Sequence, residues 1–360
     1  MSEHRALWVS TSMRTRGGVA TYVRDIRQTP LWTDWNVRHV ATHRDGSATD
    51  KIAAFACGAL KFLAELIRYR PSVIHIHSSA DSSFVRKSIL LWIGTLTQAH
   101  IVLHIHASGF PEFYDQAPRF AQKIIRATLS RANTVIALSE VQAKQLQLIA
   151  PNARIIAIPN AIVLHPQITH DTTGGPVRVV FLGRIGDHKG AFRLLDAWSA
   201  LSHDPEFATE PAPATLTLAG DGEVELARQR IRELGLDSTV ELFDWLPTEA
   251  VAELLDRSHV LVLPSRNEGQ PMAVLEAMTR GLCVVASDVG GLAEMIGGGC
   301  GVVVPPDDVD AITDALRQVI YNPEVRVRCG AAAHSRIETH FDINVVWRRI
   351  EALYRELTRF

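Results

Sequence analysis

The chain has 360 residues, of which 47% are hydrophobic and 21% charged, a balance that excludes a disordered protein and leaves room for about two domains. The net charge of −2 hides an asymmetry: residues 1–165 carry 19 Lys and Arg against 10 Asp and Glu, and residues 166–360 carry 18 against 29, so the halves are +9 and −11. The basic residues are dispersed, with no interleaved aromatic platform and no nucleic-acid motif, which argues against nucleic acid and for another anionic partner, such as a membrane surface or a phosphorylated acceptor.

The first residues, MSEHRALWVSTS, lack a long apolar core after a basic start, so no secretory signal is expected and the chain is expected in the cytoplasm. Six Val- and Ile-rich runs come first: Ala6–Ser10, Val37–Ala41, Val73–His77, Ile101–His106, Thr134–Leu138 and Ile155–Ile158. The longest apolar stretch, Ser88 to Leu103, is broken by Gly94, Gln98 and His100 and falls short of the roughly 20 residues that span a bilayer. A Pro-, Gly- and Thr-rich segment without periodicity, 166–176, reads as a linker. Six more runs follow: Val177–Leu182, Thr215–Ala219, Val240–Phe243, Val260–Leu263, Cys283–Ala286 and Val302–Val304. Asp307 to Phe360 then reads as successive helices, with Asp307-Asp308 as a helix cap. Runs apolar on both faces and separated by helices predict parallel sheets. The fold class is therefore α/β, with two doubly wound, Rossmann-like domains over 1–165 and 166–340, facing across a cleft, and a C-terminal helix at about 341–360 that returns to the first. Cys57, Cys283, Cys300 and Cys329 have neither paired nor metal-ligand spacing and read as reduced, buried thiols.

In such sheets ligands bind beyond the carboxyl ends of strands, where helix N-termini offer free N–H groups. After Val260–Leu263 comes Ser265-Arg-Asn-Glu268-Gly269-Gln270-Pro271-Met272-Ala-Val-Leu-Glu276. Pro271 suits the first helical turn, which sets Glu268 just before a helix and Glu276 about two turns along it, so that the pair can touch two ends of one elongated ligand. After Val177–Leu182 comes Gly183-Arg184-Ile-Gly-Asp-His-Lys189-Gly190. Arg184 offers a planar fork for phosphate oxygens and Lys189 a mobile point charge beside it. After the first strand, Arg16-Gly17-Gly18 opens a helix and lets backbone approach an anion, although it lacks the dinucleotide pattern of three spaced glycines.

Two histidine pairs close strands, His75 with His77 and His104 with His106, and each pair shares a face because side chains alternate along a strand. No carboxylate or thiol accompanies them as in common zinc sites. They read as partly buried rings, with His106 placed to donate to a sugar or phosphate. No metal site and no cofactor are expected.

Together these segments resemble retaining glycosyltransferase family 4, the glycosyl transferases of group 1, in order along almost the whole chain. The family's Glu-x7-Glu signature matches Glu268 and Glu276 in EGQPMAVLEAM, and its phosphate-binding Arg and Lys match Arg184 and Lys189 in GRIGDHKG. Its glycine loop matches Gly17 and Gly18, and its strand-end histidine matches His106; LAGDGE and IPNAI also look like family segments. The chain departs from the family at Gln270-Pro271, where many members have an aromatic residue and a glycine. The resemblance implies a GT-B fold and transfer of a sugar from a nucleoside diphosphate, UDP in preference to GDP, with retention and without a metal. Arg184, Lys189, Glu268 and His106 would serve catalysis, while Gly17, Gly18, Gly269, Gln270, Pro271, Met272 and Glu276 would bind the donor. The acceptor is a sugar or lipid-linked molecule of polysaccharide or glycolipid synthesis. A catalytically silent nucleotide-binding scaffold and a nucleotide-sugar epimerase remain open alternatives. Finally, Arg119, Lys123, Arg126 and Arg131 recur beside Phe120, Ile124, Ile125 and Leu129, so 116–131 reads as an amphipathic helix that either packs its apolar face into its own domain or lies on an anionic membrane.

Overall fold

Strands whose side chains are apolar on both faces must be covered on both sides, and this requirement organises each half of the protein. The computed structural model describes residues 4–168 and 174–359; the middle of the expected linker, 169–173, lies outside the described residues. Two units are present, Met1–Val163 with His340–Phe360 and Leu164–Thr339.

In the first unit the elements run β1 (Ala6–Ser10), α1 (Gly18–Ile26), α2 (Pro30–Asp34), β2 (Arg38–Ala41), α3 (Ala48–Arg68), β3 (Val73–Ser78), α4 (Asp81–Gly94), β4 (His100–Ile105), α5 (Phe110–Gln116), α6 (Arg119–Arg131), β5 (Thr134–Ala137), α7 (Glu140–Ile149) and β6 (Ile155–Ala157). The parallel sheet has the order β2-β1-β3-β4-β5-β6. Its inner strands β1, β3 and β5 are wholly buried, whereas the edge strands β2 and β6 are half-buried. One sheet face packs on Phe62 of α3, Phe84 and Leu91 of α4, Ile125 and Leu129 of α6 and Leu146 of α7. The opposite face packs on α1, α2 and the C-terminal helix.

In the second unit they run β7 (Val177–Leu182), α8 (Ala191–Ser202), β8 (Ala214–Ala219), α9 (Val224–Glu233), β9 (Val240–Phe243), α10 (Thr248–Asp256), β10 (Val260–Leu263), α11 (Met272–Met278), β11 (Cys283–Ser287), α12 (Leu292–Ile296), β12 (Gly301–Val304), α13 (Val309–Tyr321) and α14 (Pro323–Arg336). The sheet order is β12-β11-β10-β7-β8-β9, also parallel. The chain returns to the first unit as α15 (Ile343–Leu357), whose Ile343, Val346, Ile350 and Tyr354 are buried against Trp8, Trp35 and Tyr22. The Trp8 indole N–H donates to the Tyr354 hydroxyl at 2.9 Å.

The strands agree with the sequence reading to within about a residue at each end, and one local expectation is corrected while one open alternative is narrowed. Cys57 is exposed rather than buried, because it lies on the outward side of α3, whose only buried residues are Gly58 and Phe62. Ile125 and Leu129 of α6 belong to the core of their own unit, which leaves Phe120 and Ile124 as the exposed apolar residues of that helix.

Candidate functional site

In each sheet the strand order reverses beside the first strand of the unit, between β1 and β3 and between β7 and β10. Such switch points open a crevice beyond the strand ends. In the second unit the loops that follow β7 and β10 meet at this point. The Lys189 ammonium forms an ion pair with the Glu268 carboxylate, and the Ser265 hydroxyl donates to the same oxygen at 2.9 Å. Glu268 is buried, at 6% exposure, while Lys189 is half-buried. The two loops are also joined through backbone: Arg266 N–H donates to the His188 carbonyl at 3.0 Å. A third loop enters where Gly291 N–H donates to the Glu268 carbonyl at 3.2 Å.

Gly190 is what lets the first loop close. Its φ is +79°, and an added Cβ would overlap the Pro264 carbonyl. Gly190→Ala is therefore expected to destabilise the protein by about 2–4 kcal/mol, from left-handed strain plus forced displacement of packed backbone, read as a lower urea midpoint. Wild-type stability in this variant would mean that Gly190 is not required for the loop.

Arg184 is exposed at the other side of the β7 loop. The LAGDGE segment fastens that stretch: Ile185 N–H donates to the Asp221 carbonyl at 2.6 Å and Glu223 N–H to the Ile185 carbonyl at 2.9 Å. Pro271 is the N-cap of α11, so Met272 opens the helix and Glu276, half-buried, lies little more than one turn along it. Gly269 and Gln270 complete the turn before it, and Gln270 is buried. Sequence reasoning missed an ionic rim around these loops. Arg193 lies 2.6 Å from Asp187 and 3.1 Å from Asp307, and Arg266 also pairs with both carboxylates. Asp308 caps α13 through Ala311 N–H at 2.9 Å, as the Asp-Asp spacing suggests, whereas Asp307 serves this rim.

In the first unit Gly17 caps α1 with φ +116°, a backbone state that favours glycine, and Gly18 opens the helix. Arg16 N–H donates to Asp45 at 2.9 Å. His106 lies just past β4, its N–H donating to the Ser78 carbonyl at 2.7 Å. The four histidines form one stack: ring centroids are 4.4 Å apart for His75 and His77, 4.1 Å for His104 and His106, and 5.2 Å for His77 and His106. The Tyr354 hydroxyl, which accepts from the Trp8 indole, shares a hydrogen bond of 2.5 Å with His75 Nδ1. His75 Nε2 shares a hydrogen bond of 3.3 Å with His104 Nδ1. His77 Nδ1 and His106 Nε2 share a second bond of 3.0 Å. Burial holds His75 and His106 down to about 3 and pushes His77 and His104 well below the usual imidazole value, so all four rings are neutral. The ring nitrogens of His75, His77 and His104 lie within 4.8 Å of one another. Both His75 nitrogens are spent on Tyr354 and His104, and the buried Lys87, held down to about 7 by burial, is hydrogen-bonded to the His77 carbonyl at 2.6 Å.

Residues 169–336 match the family described as Glycosyl transferases group 1, and residues 15–161 match the Glycosyl transferase 4-like domain. Among curated relatives, the alpha-D-kanosaminyltransferase of Streptomyces kanamyceticus is 28% identical over 184 residues, which is 50% of this chain and 45% of that protein. The chain thus spans less than half the length of the first curated relatives it matches. The solved sucrose-phosphate synthase of Thermosynechococcus elongatus superposes with a TM-score of 0.82 at 18% identity, covering 98% of this chain and 99% of that one. Anabaena Alr3699/HepE, solved in complex with UDP-glucose, superposes with a TM-score of 0.74 at 18% identity, covering 98% and 99%. Each half of the chain thus matches a glycosyltransferase domain family, and the fold is that of the GT-B proteins.

Proposed function

We propose that the protein is a retaining glycosyltransferase that takes a hexose from a nucleoside diphosphate sugar, UDP-linked in preference to GDP-linked, and attaches it to a lipid-linked acceptor at the inner face of the cytoplasmic membrane. The observation that carries this reading is the meeting of Lys189, Glu268 and Ser265 at the switch point of the second unit. A cation held by a buried carboxylate is a site waiting for a competing anion. A diphosphate that recruits Lys189 releases Glu268, which can then accept hydrogen bonds from sugar hydroxyls. The UDP-glucose complex of Alr3699/HepE supports a uridine donor.

In the proposed reaction the bond between sugar C1 and the phosphate oxygen breaks, and the diphosphate leaves with the electron pair. Arg184, Lys189 and N–H groups of the Gly17–Gly18 loop stabilise the growing charge, with no metal assigned. The acceptor oxygen bonds to C1 on the face the diphosphate leaves, and its proton passes to a diphosphate oxygen. Glu268 orients the sugar and Glu276 holds the ribose hydroxyls. His106 is assigned as a hydrogen-bond donor to the sugar or phosphate.

Release of nucleoside diphosphate from a donor panel, with and without acceptor, tests the reading. Donor-specific release that rises with acceptor is expected; no release with any donor would leave a nucleotide-binding scaffold, and conversion of the sugar without release would mark an epimerase. The division of labour has its own test in calorimetry. Glu276→Ala is expected to weaken free nucleoside diphosphate about tenfold or more, the loss of one charge-assisted hydrogen bond. Glu268→Ala is expected to weaken the sugar nucleotide while leaving the free diphosphate nearly unchanged. Equal losses of free-nucleotide affinity in the two variants would refute it.

A further inference from the structure

The short turn Asp187–Lys189 is fastened on three sides. From within, Gly190 N–H donates to the Asp187 carbonyl at 3.1 Å. From α8, Arg193 donates to the Asp187 carboxylate and to the Asp187 carbonyl, both at 2.6 Å. From the β10 loop, Arg266 pairs with the other Asp187 oxygen and donates its backbone N–H to the His188 carbonyl at 3.0 Å. Carboxylate, carbonyl and neighbouring carbonyl are thus all held, and the backbone that carries Lys189 is fixed although its side chain is long and flexible.

Asp307 ties the two arginines together. One of its oxygens lies 2.8 Å from Arg266 Nε and 3.1 Å from Arg193 Nε. It does so from a φ of +61°, a left-handed state that is uncommon outside glycine and least costly for Asn and Asp. Its neighbour Asp308 caps α13, so this strained residue is anchored to a helix of the same unit. Strained backbone persists where its surroundings over-determine it, and it gathers at sites that need a set geometry. Stability is a poor account of the network. The side chains of Arg266, Asp187 and Asp307 are 46%, 52% and 48% exposed, and pairs this open to water contribute little. What four charged groups around one three-residue turn do supply is a constant position.

We propose that Asp307, Arg193 and Arg266 are positioning residues for Lys189, holding the Asp187–Lys189 turn so that the ammonium reaches the diphosphate where charge develops. The inference rests on the reading of Lys189 as the diphosphate cation. Lys189 must exchange Glu268 for the incoming anion, and a misplacement of about 1 Å is enough to cost on the order of 10² in rate.

Asp307→Asn is the probe, because Asn tolerates the left-handed backbone and removes only the charge. It should lower kcat about tenfold while the donor KM changes less than about twofold, with an unaltered thermal midpoint. Arg266→Gln should behave alike. Arg266→Lys, which keeps a charge but not the fork that reaches two carboxylates, should fall between Arg266→Gln and wild type. The decisive comparison is a double-mutant cycle. In a Lys189→Ala background Asp307→Asn should have no further effect on kcat, since it acts through the missing ammonium. A second measurement needs no turnover: amide hydrogen exchange over 186–190 should be faster in Asp307→Asn and Arg266→Gln than in wild type. Wild-type kcat in Asp307→Asn would overturn the proposal and leave the glycosyltransferase reading intact. So would losses that add in the Lys189→Ala background, which would mean that the network acts on the donor directly or through the general fold. Unchanged exchange over 186–190 would overturn it whether or not the protein transfers sugar, whereas failure of the glycosyltransferase reading shows separately, as no diphosphate release by the wild type with any donor.

Discussion

Arg184→Ala and Lys189→Ala are each expected to lower turnover about 10²–10³-fold, the usual cost of removing one donor to charge that develops in a transition state. The two variants should separate in stability. Arg184 is exposed, and surface substitutions of this kind stay within about 0.5 kcal/mol. Lys189 pairs with a carboxylate that is 6% exposed, and its removal leaves Glu268 with the Ser265 hydroxyl in a desolvated place, at a cost of about 1–3 kcal/mol. Lys189→Ala should therefore lose both rate and thermal midpoint, and Arg184→Ala rate alone. Steady-state kinetics with the natural donor and calorimetric melting check both. Near wild-type transfer in both variants would remove the diphosphate assignment from this loop.

Acidification is expected to unfold the first unit well before its carboxylates are protonated. His75, His77 and His104 are buried and neutral, and His106 shares their stack. In the unfolded chain each takes up a proton near the ordinary value of 6.5, whereas in the folded protein burial lowers His75 and His106 to about 3 and the other two well below 6.5. The unfolded state thus binds more protons as pH falls. The stability these rings contribute is complete above about pH 6.5 and is lost progressively as pH drops toward the lowered values, at up to about 1.4 kcal/mol per pH unit for each ring. The window from pH 6.5 to 5 is diagnostic, because most carboxylates remain charged there. Urea unfolding followed by tryptophan fluorescence should show a falling midpoint across it, since Trp8 and Trp35 lie in this core. His104→Phe should flatten the dependence, since an aromatic ring keeps the stack and takes no proton. A midpoint level from pH 7 to 5 would contradict the neutral stack.

Alternation was legible in the residues themselves. Runs such as Val260–Leu263 and, apart from Arg178, Val177–Leu182 are apolar throughout, which a strand tolerates only when both faces are covered, and helical patterns lie between them. Two parallel sheets and the loops that carry Lys189 and Glu268 at strand ends follow from that pattern. Pro271 marked the start of α11 to within a residue, because a proline has a restricted φ and no N–H to lose.

Long-range pairing was not legible. β10 lies beside β7 although about 80 residues separate them, and only that adjacency brings Lys189 to Glu268. The ionic rim of Arg193, Arg266, Asp187 and Asp307 and the seating of Tyr354 against His75 depend on the same kind of closure. The outward stripe of α3 was hidden for another reason. A helix with apolar residues on two sides gives a weak periodic signal of which side is covered; Phe62 is buried and Leu60 exposed on the helix whose Gly58 approaches the end of β2 closely. Local propensity and periodicity thus determined the elements and their order, while the rotation of each helix and the partner of each loop were decided by packing between segments far apart in the chain.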